Sequence, residues 1–262
     1  MCERNTTSKG VMDCYIPLTI EKQLKNYSEC LGHIERHEIL WHEWNHNKQW
    51  LIQVQQMILP SFPSYSRHDA SHSEAVLHNI ELILGEDNIR ELSPTDCFVL
   101  LHTIYIHDIG MCITHEEKKE IFKEEAFHEY LEQLQKESNS DMQYYASVLL
   151  KEYNKDTTQI HSKEEILNEK LEVYYAITYL LAEYRRKKHG DVSKDKLEKW
   201  IDNPDKLGIG FSTIQLPHRL FYIMAKCAAT HTKWDFNEVL KLFQEDTGFV
   251  RDYVHPRFIV HI

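Results

Sequence analysis

Glycine and proline are scarce in this chain, 8 and 7 among 262 residues. Turn formers this sparse, beside long Glu/Lys/Leu-rich segments of helical period, point to an all-α fold. A basic excess is also lacking: the net charge of −11 argues against a broad electrostatic footprint for DNA or RNA. No apolar run is long enough for a membrane span, and no signal-peptide pattern is present, so neither a membrane nor secretion is expected. The six cysteines form no CxxC pair and no regular spacing. Cys97, Cys112 and Cys227 fall within apolar helical patterns, where a reduced thiol behaves as a small hydrophobe. The expectation is a reduced, cytoplasmic protein without internal repeats. What the chain has in excess is histidine, 17 residues, in a length that suffices for one large domain or a domain with an insertion.

The segment from Phe98 to Ile106 is apolar on nearly every side and predicts a helix buried all round. Ser93 is a natural N-cap, Pro94 suits the first helical position and Asp96 supplies the carboxylate three residues on. Gly110 is placed to stop the helix. At its deep end stand His107 and Asp108. An uncompensated carboxylate in such surroundings costs several kcal/mol or more, so a positive group is required beside Asp108.

Along the chain, residues 1–33 are expected to be a lead-in segment, its first 16 residues without periodic pattern. The helical domain then occupies 34–262. A helical, aromatic pattern with Trp41, Trp44 and Trp50 runs from about Ile34 to Leu59, where Pro60 and Pro63 break it. Val76, Leu77, Ile80, Ile83 and Leu84 mark the next helix, which Gly85 should end. Residues 115–160 change to Glu/Lys/Gln/Tyr-rich composition and read as a largely surface helical insertion. Ser162 and Glu165 suggest a capping box for a long helix through Leu171, Tyr174, Ile177, Leu180 and Leu181. That helix should end in the solvated basic run Arg185-Arg186-Lys187-Lys188, followed by His189 and Gly190. Leu216 to Thr230 is a further apolar helix finishing at His231.

His72, at the start of one helix, and the adjacent His107-Asp108 at the end of another can converge on one metal centre, since imidazole and carboxylate suit borderline transition metals. With "HS…V" at His72 and "HDIG" at 107–110, the chain resembles the HD superfamily of metal-dependent phosphohydrolases. Leu59 to Ser73 and Leu100 to Met111 are most similar to the HD-CE subgroup, known mostly from bacterial sequences. The strong resemblance covers roughly Gln49 to Met111.

The resemblance implies an HD-domain-like helical bundle with His72, His107 and Asp108 as metal ligands, Asp108 able to bridge. One or two divalent ions (Mn, Fe, Zn, Ni or Mg) are expected, with a small phosphorylated substrate such as a nucleotide. His68, one turn before His72, is a candidate to orient a ligand or to contact substrate, and His231, at a helix end like that of His107, is a candidate ligand or phosphate contact; either could stabilise charge on the phosphoryl or leaving oxygens. His189 reads as a surface charge at a helix terminus. The family pattern ends with a further Asp, and none of Asp235, Asp246 or Asp252 sits in that context. In similar proteins it follows a helix like Arg257–Ile262. Two expectations stay open: an N-terminal part of a longer protein, with a chaperone-type ATPase module behind it, or an incomplete site in a regulatory or scaffold domain.

A competing motif is His42-Glu43-Trp44-Asn45-His46, which satisfies the H-E-x-x-H pattern of zinc proteases. Asn45 and Asn47 are polar where a buried zinc helix should be apolar, and no third ligand is marked. The tryptophans around it read as core or interface.

Overall fold

In a computed structural model, the described residues are 17–29, 36–62, 69–137, 140–153, 163–202, 210–213, 216–233 and Asn237. Among them the architecture is all-α, as the composition implied. Ten helices follow in order: α1 Ile20–Glu29, α2 Arg36–Gln56, α3 Ala70–Glu91, α4 Pro94–Ile106, α5 His115–Lys123, α6 Glu125–Leu134, α7 Ser140–Tyr153, α8 Lys163–Arg186, α9 His189–Asp202 and α10 His218–Thr230. Short 3-10 turns occupy Leu59–Ser61 and Ile109–Met111.

Helix α4 is the axis of the bundle, and every residue from Asp96 to Ile106 is buried. Its start is a capping box: the Ser93 hydroxyl accepts from the Asp96 N–H and the Asp96 carboxylate accepts from the Ser93 N–H. Around it pack α1, α2, α3 and α10, with α9 lying against α10. The wholly buried Trp44 of α2 meets Tyr105 and His102 of α4 edge-on. Among the described residues no single helix is long and apolar enough to cross a membrane. Cys97, Cys112 and Cys227 are free and buried, and burial pushes the Cys227 thiol up to about 12.

Several boundaries differ from expectation. The lead-in contains α1, whose Ile20 and Leu24 are completely buried in the main core; a two-residue anchor is easily hidden in so polar a stretch. Glu81 of α3 accepts from the Ile20 N–H and so caps α1. Gly85 does not end α3 but bends it, at φ +70°, and helical turns continue to Glu91. Ile83 is accordingly 81% exposed, while Ile89 beyond the bend is buried. The proposed Ser162–Glu165 capping box lies outside the described residues, as do Asp235, Asp246 and Asp252. Helices α5, α6 and α7 of the 115–160 stretch enclose a second apolar core with α8, from Ile121, Phe127, Leu131, Leu149, Leu180 and Leu181 among others. The described part of this stretch is thus packed on its inner face against α8.

Candidate metal centre

The central carboxylate belongs to Asp108, which is 3% exposed and sits in the turn between α4 and the 3-10 turn that follows. Four imidazoles from four places in the chain point Nε2 at it. His107 lies 3.0 Å and His72 3.4 Å from Oδ2. His189 lies 3.2 Å and His231 3.6 Å from Oδ1. The carboxylate therefore divides the site into two sets: His72, His107 and Asp108, and Asp108, His189 and His231. In each set the candidate ligand atoms lie within 4.8 Å of one another.

Each histidine is placed by a helix end. Asp69 caps α3, accepting from the Ser71 N–H at 3.0 Å, and puts His72 in the first turn. Gln55 of α2 donates to the Ser73 hydroxyl and to the Tyr105 carbonyl, tying the start of α3 to the end of α4. His107 and His231 are the C-terminal caps of α4 and α10. His189 opens α9 immediately after the two-residue reversal from α8.

The last carbonyls of a helix lack an intrahelical donor. Here the Nδ1–H of His107 donates to the Ile104 carbonyl at 2.6 Å, that of His189 to Arg186 at 2.7 Å, and that of His231 to Ala228. The same i−3 arrangement thus recurs three times. It fixes one tautomer, with the Nε2 lone pair turned towards Asp108, as a backbone carbonyl does for metal-ligating histidines.

The donor set fits a cation. Neutral Nε2 atoms and carboxylate oxygens are all acceptors, yet they crowd within 3.0–3.6 Å. His189 and His231 also approach Nε2 to Nε2 at 2.7 Å. Only a proton or a metal ion makes such contacts favourable. Burial pushes the His107 pKa down, but the hydrogen bond and charge of Asp108 and the Ile104 carbonyl outweigh it, and the net direction is up. Borderline divalent metals suit four imidazoles and one carboxylate.

Of the expected site residues, His72, His107, Asp108 and His231 are brought together, whereas His68 lies outside the described residues. His189 was missed. The preceding basic run suggested solvent, but Arg185 of that run is only 9% exposed and lies 3.9 Å from Glu117. The chain then reverses at Lys187–Lys188 and turns His189 inward. The sequence carried no signal for it, because the i−3 carbonyl contact it shares with His107 and His231 shows only once the helix ends are placed.

The His42-Glu43-His46 motif does not assemble with a third ligand among the described residues. Both histidines are exposed, and Glu43 accepts from the Ser212 hydroxyl at 3.0 Å. Asn47 is polar for a structural reason. Its amide accepts from the Ser212 N–H and donates to the Ser212 carbonyl and to His102 Nε2.

An all-α bundle that gathers a His-Asp pair and three further histidines from separate helices has a His/Asp cluster of the HD type, one that could hold a metal ion. A family model described as HD-CE matches residues 62–261, and the chain belongs to the HD-CE family. Neither a curated protein nor a solved structure matches it.

Proposed function

We propose that the protein is a metal-dependent phosphohydrolase acting on a nucleotide or a related phosphate ester. The carrying observation is Asp108, whose two oxygens each face a histidine pair. That division suits one or two ions: His72, His107 and Asp108 would hold one, and Asp108, His189 and His231 would hold a second. A divalent ion there supplies Lewis acidity, both to make water a nucleophile near neutral pH and to neutralise phosphoryl charge. The protein's own part is orientation: three imidazoles held in one tautomer by helix-end carbonyls, and an apolar bundle that limits water around the carboxylate. Of the two roles open to His231, metal ligand and phosphoryl contact, the ligand role is taken here, supported by its 2.7 Å approach to His189. His68, four residues before His72 and outside the described residues, is the candidate from the sequence for charge developing on the phosphoryl or leaving oxygens. A cation at the centre also offsets the repulsion that a protein of net charge −11 exerts on an anionic substrate.

The test is elemental analysis of the purified protein beside its Asp108→Ala variant, with phosphate release measured on a nucleotide panel with added Mn. Metal in the wild type only, together with turnover, is the expected result. Equal metal in both proteins removes the ligand assignment. Metal without turnover on any substrate favours the scaffold reading of the domain.

A further inference from the structure

The turn that carries Asp108 is not closed by its own backbone. His107 donates its N–H back to Thr103, Met111 to Asp108 and Cys112 to Ile109. Between these, the His107 carbonyl and the Gly110 N–H would pair in an ordinary four-residue turn. Instead the hydroxyl of Ser193, from α9, stands between them. It donates to the His107 carbonyl at 2.6 Å and accepts from the Gly110 N–H at 2.8 Å. A serine hydroxyl has one proton and two lone pairs, so both main-chain groups are satisfied by one side chain that is itself fully buried.

The approach is close enough to exclude a side chain at position 110. A Cβ there would collide with the His189 carbonyl oxygen and stand 2.8 Å from both the N and the Oγ of Ser193. One helical turn further along α9, Lys196 donates to the Cys112 carbonyl at 2.5 Å and to Glu117 at 3.0 Å. One turn earlier stands His189, 3.2 Å from Asp108. Positions 189, 193 and 196 share a face at helical spacing. That face runs along residues 107–112 and touches them at each end and in the middle.

We propose that Ser193 is a positioning residue for the metal centre, a latch that fixes the peptide plane between His107 and Asp108 and so the aim of both side chains. The inference rests on the metal-centre reading above and extends it to a residue that touches no ligand atom. Through α9 the latch also couples the two halves of the site. The helix that presents His189 to one carboxylate oxygen holds the turn that presents His107 to the other.

The test compares Mn affinity, by titration calorimetry, with the melting temperature of the metal-free protein in wild type, Ser193→Ala, Ser193→Cys and Leu197→Ala. Leu197 lies on the same helix, is wholly buried in the core and touches none of the turn's hydrogen bonds, so its truncation reports α9 stability alone. Partners that orient ligands are worth about 10–100-fold in metal affinity, and a loss in that range is expected for Ser193→Ala. Ser193→Cys keeps a weak donor and acceptor and should fall between it and wild type, which also serves should the alanine variant not fold. Leu197→Ala should lower the melting temperature and leave affinity within about twofold of wild type. The latch is overturned if the wild type binds Mn and Ser193→Ala or Ser193→Cys binds it equally well. It is also overturned if affinity simply follows melting temperature across the set. A wild type that takes up no divalent ion overturns the metal centre and the latch with it.

Discussion

His189 and His231 face each other Nε2 to Nε2 at 2.7 Å, although each has its Nδ1 proton engaged by a carbonyl three residues earlier. Two lone pairs in that relation repel, so the close approach of the two rings requires a proton or a metal ion between them, and on the metal-centre reading a metal ion takes that place. Metal uptake is therefore expected to stabilise the fold. At a free-ion concentration about 100 times Kd, the gain is about 2.7 kcal/mol. Thermal melts with chelator and then with added Mn, Zn, Ni or Mg should show a rise in Tm. Identical melts under all conditions would falsify the cation's role.

The ligand set gives a second prediction. Single alanine substitutions at His72, His107, His189 and His231 should each weaken metal uptake by at least about tenfold, since even residues that merely orient a ligand reach that magnitude. His46→Ala and Glu43→Gln should leave uptake and phosphate release at wild-type levels, because neither belongs to the cluster around Asp108. Loss of activity in Glu43→Gln would instead point to the H-E-x-x-H motif.

The contrast between these histidines shows what could be read from the chain alone. The start of α4 was legible because a capping box is written within four consecutive residues, Ser93 to Asp96. The meeting of His72 with His107 and Asp108 was legible because each sits in a local motif and because a buried carboxylate demands a partner. His189 was not, since its burial depends on the reversal at Lys187–Lys188 and on where α9 then lies. Ser193 gave no signal at all: a serine in an amphipathic helix reads as solvent-facing. Gly110 was read as a helix stop, whereas α4 ends earlier, at Ile106. What requires glycine there is the backbone of a helix some eighty residues away in sequence. Local chemistry was readable, and contacts made by the fold were not.

The two glycines at irregular positions should therefore respond differently. Gly110→Ala forces α9 away from the turn and is expected to cost more than about 3 kcal/mol, in the range of severe overpacking. Gly85 has φ +70° but nothing within 4 Å of a Cβ placed there. Its alanine variant carries only the backbone penalty of a conformation open to little but glycine, φ +70° and ψ 161°, of order ~1–3 kcal/mol. Urea unfolding of the metal-free proteins separates the cases. An equal or larger loss at position 85 would show that α9 yields easily.

His102 supplies the acid limit of the fold. Burial drives its pKa down to about 3, the Phe98 carbonyl offsetting part of the effect. The neutral ring donates Nδ1–H to that carbonyl at 2.9 Å and accepts from Asn47 at 3.2 Å. The unfolded chain takes up this proton near pH 6.5 while the folded chain does not, so the lowered pKa contributes stability that is present above pH 6.5. That contribution is lost as pH falls, at about 1.4 kcal/mol per pH unit between about 6.5 and 3. His102→Gln removes the titrating group and keeps an amide able to donate and accept. Its urea midpoint should be lower at pH 7 but should decline less steeply towards pH 5 than that of wild type. Because the histidines around Asp108 are common to both proteins, the difference in slope isolates His102. Parallel declines would mean that the ring charges in place, with α2 and α4 parting locally at Asn47 to admit water.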